Sequence, residues 1–173
     1  MTEPEPSSNA RTLALLGGME LDVQRALGKA RSMQLSEIGA ITVLGAGQMG
    51  AGIAQVCAQK GYRVLLTDVA LERAKSAKMA IEKQLARLRD KGKLSAAECD
   101  LASARIEATT PDLAYPQADL VIEAASENRE LKLALFEQAD ALSKPHAIFA
   151  SNTSSVSITL LAGRTKRADR VIQ

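Results

Sequence analysis

Gly45-Ala46-Gly47-Gln48-Met49-Gly50, answered at the end of the next apolar run by Asp68, carry the clearest chemical signal in this chain. A G-x-G-x-x-G pattern frees backbone to wrap a phosphate. Gly45 allows the turn out of a strand, Gly47 lacks the Cβ that would keep the chain from a pyrophosphate, and Gly50 lets a helix pack closely on a sheet. The phosphates would rest on the positive N-terminal end of the following helix. Asp68 stands close to the ~20-residue distance of this layout and can accept hydrogen bonds from both hydroxyls of an adenosine ribose. Its charge would repel a 2′-phosphate, so NAD rather than NADP is the expected cofactor. Glycine triplets also occur by chance. Here the triplet lies between Ile41-Thr42-Val43-Leu44 and the helix-like Ile53-Ala54-Gln55-Val56-Cys57-Ala58, which leaves an ordinary βαβ turn without a ligand as the lesser reading.

The elements that must hold these residues alternate between strand and helix. Strands are expected near 41–44, 63–67, 105–108, 119–124 and 147–150, with amphipathic stretches between them. That alternation implies an α/β fold, a doubly wound parallel sheet of Rossmann type with helices on both faces. Leu71 to Arg89 places Leu71, Ala74, Ala77, Ile81, Leu85 and Leu88 on one helical face, with Lys75, Lys78, Lys83, Arg87 and Arg89 around it. The basic surface reads mainly as solvated helix; the sharper reading is a site for the phosphates of a bulky anionic substrate, with Lys91 and Lys93 near the helix end. Ser95 and Glu98 form the pattern of a capping box that starts the next helix. Residues 37–173 are expected to form this one domain. Residues 1–36 read as an extension, partly disordered or a short helix: a Pro/Glu/Ser/Asn start, then weak helical spacing through Leu13, Leu16, Met19, Val23 and Leu27.

Composition narrows the function classes. With 173 residues, 46% hydrophobic and 24% charged, the chain suits one globular domain with an adequate core. A net charge of +2 and 2% aromatic residues argue against a nucleic-acid partner. No apolar run approaches the ~18 residues that cross a bilayer, and Met1-Thr2-Glu3-Pro4-Glu5-Pro6 lacks the basic start of a signal peptide. Neither a membrane partner nor export is expected, and the cytoplasm is the expected location. Cys57 and Cys99 lack metal-ligand spacing, so no metal is expected. They read as small core or surface residues in a reducing compartment, with a disulfide or nucleophile as the alternative.

The second half of the chain selects a family. Asp119-Leu120-Val121-Ile122-Glu123-Ala124-Ala125-Ser126-Glu127-Asn128, then Lys132, then Phe149-Ala150-Ser151-Asn152-Thr153-Ser154-Ser155-Val156-Ser157-Ile158-Thr159 closely resemble the L-3-hydroxyacyl-CoA dehydrogenases. That family includes 3-hydroxybutyryl-CoA dehydrogenases and the dehydrogenase part of multifunctional β-oxidation enzymes. The resemblance covers about Ile38 to Ile172, and the Ser-Asn-Thr-Ser-Ser segment is its most specific part. It implies that residues Gly45 to Gly50 hold the pyrophosphate and Asp68 the adenosine ribose. Glu127 and Lys132 match an acid and a lysine beside the nicotinamide ribose, an acceptor and donor pair for its hydroxyls; outside this context they would read as an exposed ion pair. Asn152 matches an asparagine beside the nicotinamide, and Ser154 a serine that hydrogen-bonds the substrate's 3-oxygen. Lys91 falls near a lysine that contacts the CoA of an acyl-CoA substrate. Gln84 stands where some members carry a second CoA-contacting serine.

The departure lies after Arg170-Val171-Ile172. In the family this run leads into Gly-x-His-Phe-Phe-Asn-Pro, whose histidine is the general base or acid, and on to a helical domain that completes the substrate cleft and forms the dimer. Here the sequence stops at Gln173. The single histidine, His146, follows Pro145 and reads as a solvated loop residue. The chain is therefore expected to be the cofactor half of the enzyme, inactive alone, with apolar surface exposed around Val156, Ile158, Leu160 and Leu161 for want of a partner domain. Two other readings stay open: a related carnitine or gulonate dehydrogenase, and a noncatalytic NAD-binding or interaction module. Genomic sequence continuing in frame into His-Phe-Phe-Asn-Pro would favour an enzyme fragment over the module.

Overall fold

A computed structural model describes residues 35–173. The extension expected over residues 1–36 lies outside them except for its last two residues, which belong to the 3-10 turn Leu35–Glu37. The strands are β1 (Ala40–Leu44), β2 (Arg63–Thr67), β3 (Ile106–Thr109), β4 (Leu120–Glu123), β5 (Ile148–Ser151) and the short β6 (Val171–Ile172). All pair in parallel, in the order β3-β2-β1-β4-β5-β6, which is the doubly wound arrangement the sequence implied. Continuous apolar strands of this kind suit a sheet covered on both faces.

The strand pleat sends alternate residues to opposite faces. On one face Ile41, Val43, Val64, Leu66, Ile106, Ile122 and Ile148 pack under α1 (Gln48–Gln59), α2 (Leu71–Asp90) and α3 (Ala96–Ala104). The helices contribute Ile53 and Cys57, Ala77, Ile81 and Leu85, and Cys99 and Ala102 respectively. The other face buries Leu44, Val121 and Phe149 beneath α4 (Pro111–Ala114) with its 3-10 continuation Tyr115–Gln117, α5 (Arg129–Leu142) and α6 (Ile158–Ala162). Each fully buried Ile, Leu or Phe contributes about 1.5–3 kcal/mol, so the two apolar layers hold the strand ends in place. The capping box forms as expected: the Ser95 hydroxyl accepts from the Glu98 N–H, and the Glu98 carboxylate accepts from the Ser95 N–H. Both cysteines are free and buried, and burial pushes the Cys57 thiol up to about 12, which makes it a core residue. Among the described residues no helix is long and apolar enough to cross a membrane.

Three expectations need correction. β3, β4 and β5 each begin one residue later than expected and β4 also ends one residue early, at Glu123; Arg105 still caps α3 and Ala147 closes a turn onto Lys144. Val171 and Ile172 add a sixth strand beside Phe149 and Ala150. Above all, Val156, Ile158, Leu160 and Leu161 are not an exposed apolar patch: Val156 and Leu161 are buried and the other two pack against the same cluster. The segment packs into the apolar layer of Leu133, Phe136 and Phe149, and Arg167 a few residues on ties the chain to α5 and β5. Its guanidinium bonds Asp140 at 2.6 Å and the Asp140 and Lys144 carbonyls, and lies 5.1 Å from the Phe149 ring centroid.

The rear edge of the sheet, where the strands begin, is tied by Asp119. Its buried carboxylate accepts from the N–H groups of Gly39 and Ala40, from Lys144 at 2.7 Å and from His146 at 3.2 Å. Burial raises the Asp119 pKa, but the bonds from Lys144, Ala40, His146 and Gly39 together outweigh it and hold the carboxyl below its ordinary 3.8. Because the folded value is the lower one, the contribution to stability is fully present above about pH 4 and is lost as pH falls through the folded value. Asp119→Asn should cost about 1–3 kcal/mol at neutral pH and flatten the acid limb of stability against pH. Urea unfolding from pH 7 to 3 measures this; an unchanged acid limb in the variant would refute the assignment.

Candidate functional site

Parallel strands bring their C-terminal ends to one edge, and the chain reverses its winding between β1 and β4, where a crevice opens. Gly45 lies at this point with φ +101°, its N–H donating to the Thr67 carbonyl at 2.9 Å. A Cβ on Gly45 would stand 2.6 Å from the Ala124 carbonyl oxygen, so the turn is wedged between the end of β2 and the loop after β4. A Cβ on Gly50 would stand 1.8 Å from the Gly45 carbonyl oxygen, which is the close helix-to-turn packing expected of that position. Gly47 differs from both. Nothing lies within 4 Å of where its Cβ would be, and no side chain caps α1 there. Open space over an uncapped helix N-terminus is what a pyrophosphate bound by backbone N–H groups requires. The residues present therefore fit a dinucleotide. Ala46 lies within the same turn, and Gln48 and Met49 are exposed in the first turn of α1.

Asp68 follows β2 directly and reaches back to this turn, its Oδ2 accepting from the Ala46 N–H at 2.8 Å. Its Oδ1 accepts from the Val69 N–H at 2.8 Å and faces Arg73 Nε at 3.2 Å.

On the other side of the crevice two carboxylates share one lysine. Lys132 on α5 is buried, and its Nζ bonds both oxygens of the fully buried Glu123, at 2.8 and 2.9 Å, and the Ala125 carbonyl at 3.3 Å. Glu127 is the more distant partner at 3.6 Å, with its side chain half exposed. The expected Glu127–Lys132 pair thus exists, but Lys132 belongs first to Glu123. Glu123 also accepts from the Ser151 hydroxyl and the Ala125 N–H, both at 2.6 Å, so its charge is fully compensated. The Asn128 side chain caps α5 by accepting from the Leu131 N–H at 2.9 Å, which fixes where Lys132 enters.

Glu127 is drawn instead to the segment after β5. Its Oε2 accepts from the hydroxyls of Thr153, at 2.7 Å, and Ser155. Those bonds, first from Ser155 and then from Thr153, hold the Glu127 carboxyl below the usual carboxylate range, with burial opposing and Lys132 adding to the effect. Thr153 is the knot of this loop. Its side-chain oxygen also accepts from the N–H groups of Ser155 and Val156. With Thr153 tied inward, Ser154 is left exposed at the edge and Asn152 half-buried beside it, the Asn152 N–H bonded to the Glu123 carbonyl at 2.9 Å.

Two candidates lie elsewhere. His146 precedes β5 at the rear edge, half exposed and paired with Asp119, away from Asn152 and Ser154 at the front. Lys91 closes the far end of the 20-residue α2, about 30 Å of helix from Leu71 at the front edge. Gln84 faces partly outward along the same helix. Sequence reasoning missed Glu123, Thr153 and Ser155 as distinct parts of the site. The available signal was an acid ending an apolar strand, since a buried carboxylate demands a cation.

Comparison with known proteins agrees with this architecture. A family model described as the NAD-binding domain of 3-hydroxyacyl-CoA dehydrogenase matches residues 40–173. The 3-hydroxybutyryl-CoA dehydrogenase of Bradyrhizobium diazoefficiens is 45% identical over 132 residues, covering 76% of this chain and 45% of that protein. The mitochondrial hydroxyacyl-coenzyme A dehydrogenase of Rattus norvegicus is 41% identical, covering 75% and 43%. The crystal structure of (S)-3-hydroxybutyryl-CoA dehydrogenase from Ralstonia eutropha superposes with a TM-score of 0.74 at 42% identity, covering 78% of this chain and 47% of that one. The chain spans about half the length of the curated relatives it matches.

Proposed function

This chain belongs to the 3-hydroxyacyl-CoA dehydrogenase family as its NAD-binding domain, and from that premise we propose that it serves the interconversion of (S)-3-hydroxyacyl-CoA and 3-oxoacyl-CoA. The observation that supports this most is the open space over Gly47, flanked by Asp68 on one side and by Asn152 and Ser154 on the other. When bound, NAD accepts or returns the hydride. Backbone at Gly45 to Gly50 holds the pyrophosphate, and the Asp68 carboxylate accepts from the adenosine ribose. Glu127 would accept from the nicotinamide ribose, while Lys132, buried and bonded to Glu123 and the Ala125 carbonyl, would act by positioning Glu127 from 3.6 Å away. Asn152 would help hold the nicotinamide, and the exposed Ser154 hydroxyl would orient and polarise the substrate's 3-oxygen. Lys91, at the far end of α2 and away from the crevice, is assigned to the phosphates of CoA by the family resemblance alone.

The proton that leaves the 3-hydroxyl needs a base at the front edge. His146, the one histidine in the sequence, is held by Asp119 at the rear. In the family the resemblance points to, that base is the histidine of a Gly-x-His-Phe-Phe-Asn-Pro segment, and members dimerise through a further domain. Residues 37–173 form the cofactor domain in this proposal. Two buried free thiols suit a reducing compartment such as the cytoplasm.

The direct test is cofactor binding. The chain should bind NADH more tightly than NADPH, and Asp68→Ala should remove about 1.5–3 kcal/mol of NADH affinity, roughly ten- to a hundredfold. Titration by nicotinamide fluorescence decides it. Equal affinity of the unaltered chain for the two cofactors refutes the role of Asp68.

A further inference from the structure

Arg73 in the first turn of α2 takes no part in the function proposed above, yet it sits on the residue that chooses the cofactor. Its Nε lies 3.2 Å from Asp68 Oδ1, with the Arg73 side chain 64% exposed and that of Asp68 only 7%. The guanidinium thus lies on the solvent side of a carboxylate that is otherwise enclosed. Two further donors, the N–H groups of Ala46 and Val69, occupy the same carboxylate at 2.8 Å.

A carboxylate offers about four acceptor positions, and three are taken. A ribose diol needs two. The N–H groups of Ala46 and Val69 belong to the glycine turn and to the turn between β2 and α2, so neither can withdraw without moving backbone. Arg73 is the partner on a flexible, exposed stem, and it can yield or turn.

We propose that Arg73 is a cofactor-selectivity residue held in check by Asp68, a receptor for a 2′-phosphate that the Asp68 charge keeps occupied. The proposal rests on the reading that Asp68 binds the adenosine ribose. An oxygen at the 2′-position bonded to Asp68 stands within a few ångströms of the guanidinium, whose planar fork matches a phosphate as well as a carboxylate. Asp68 then selects against NADP in two ways: it repels the phosphate, and it neutralises the cation that would bind it.

The experiment compares the unaltered chain with Asp68→Asn, Arg73→Ala and the double variant, titrating each with NADH and NADPH by nicotinamide fluorescence. Asp68→Asn should bind NADPH at least tenfold more tightly than the unaltered chain does, and adding Arg73→Ala should abolish most of that gain. The gain should also shrink as salt is raised, as a phosphate–guanidinium contact requires. An equal gain with and without Arg73 overturns the proposal and leaves the ribose site standing. Failure of the unaltered chain to bind NADH overturns the ribose reading and the proposal with it. Should Asp68→Asn lose its fold by circular dichroism, Asp68→Ser carries the same comparison.

Discussion

Alanine in place of Lys132 is expected to lower the unfolding free energy by about 3–5 kcal/mol, a large share of the roughly 5–15 kcal/mol that holds a domain together. The loss comes less from the missing attraction than from what remains. Glu123 is fully buried, and without the ammonium its charge keeps only the Ser151 hydroxyl and the Ala125 N–H. A carboxylate so enclosed and left without its cation is strongly destabilising. Removing both charges with Glu123→Gln and Lys132→Met should restore most of the stability, because the amide oxygen can still accept from Ser151 or Ala125 and the methionine fills the lysine's path. Urea unfolding at neutral pH measures both proteins, read from midpoints at constant slope. A loss below about 1 kcal/mol for Lys132→Ala, the range of exposed pairs, would contradict the buried geometry.

Alanine at the three glycines of the turn should produce two kinds of result. At Gly50 the new Cβ would fall 1.8 Å from the Gly45 carbonyl oxygen, and at Gly45 it would fall 2.6 Å from the Ala124 carbonyl oxygen at a φ of +101°. Backbone cannot swing aside as a side-chain tip can. Each substitution should therefore cost about 3 kcal/mol or more, from overpacking together with strain at Gly45, and abolish cofactor binding by displacing the turn. Gly47→Ala meets nothing within 4 Å and should leave the melting temperature unchanged. Its methyl group would instead occupy space required by the pyrophosphate, at an overpacking cost of about 1–3 kcal/mol, or roughly five- to 150-fold in NADH affinity. Thermal melting and nicotinamide fluorescence separate the two kinds. If Gly47→Ala binds NADH as tightly as the unaltered chain, the pyrophosphate does not lie on this turn.

What could be read from the sequence follows the range of the forces involved. The glycine turn, the strand positions and the Ser95–Glu98 cap depend on neighbours within a few residues, so their patterns survive in one dimension. Glu123 does not reveal itself that way: its partners Lys132 and Ser151 lie 9 and 28 residues on, on a helix and on another strand. Glu127 and Lys132 were legible as members of the site but not as unequal partners. The expectation over Val156 to Leu161 fails for the same reason, since the apolar layer that receives this run, Leu133 and Phe136 on α5 and Phe149 on β5, comes from separate elements earlier in the chain. β6 is too short to carry a pattern at all.

The two buried carboxylates that bracket β4 also constrain how the sheet can assemble. Asp119 sits just before its first residue and Glu123 is its last, and each is held by a lysine from a different segment, Lys144 and Lys132. Sliding β4 by one residue against β1 or β5 would exchange its two faces and at the same time separate both acids from their cations. Apolar strands of this composition have little else to distinguish one alignment from the next. The ion pairs at the two ends thus act as register marks, penalising a shifted pairing in the middle of the sheet where the cofactor crevice has to open.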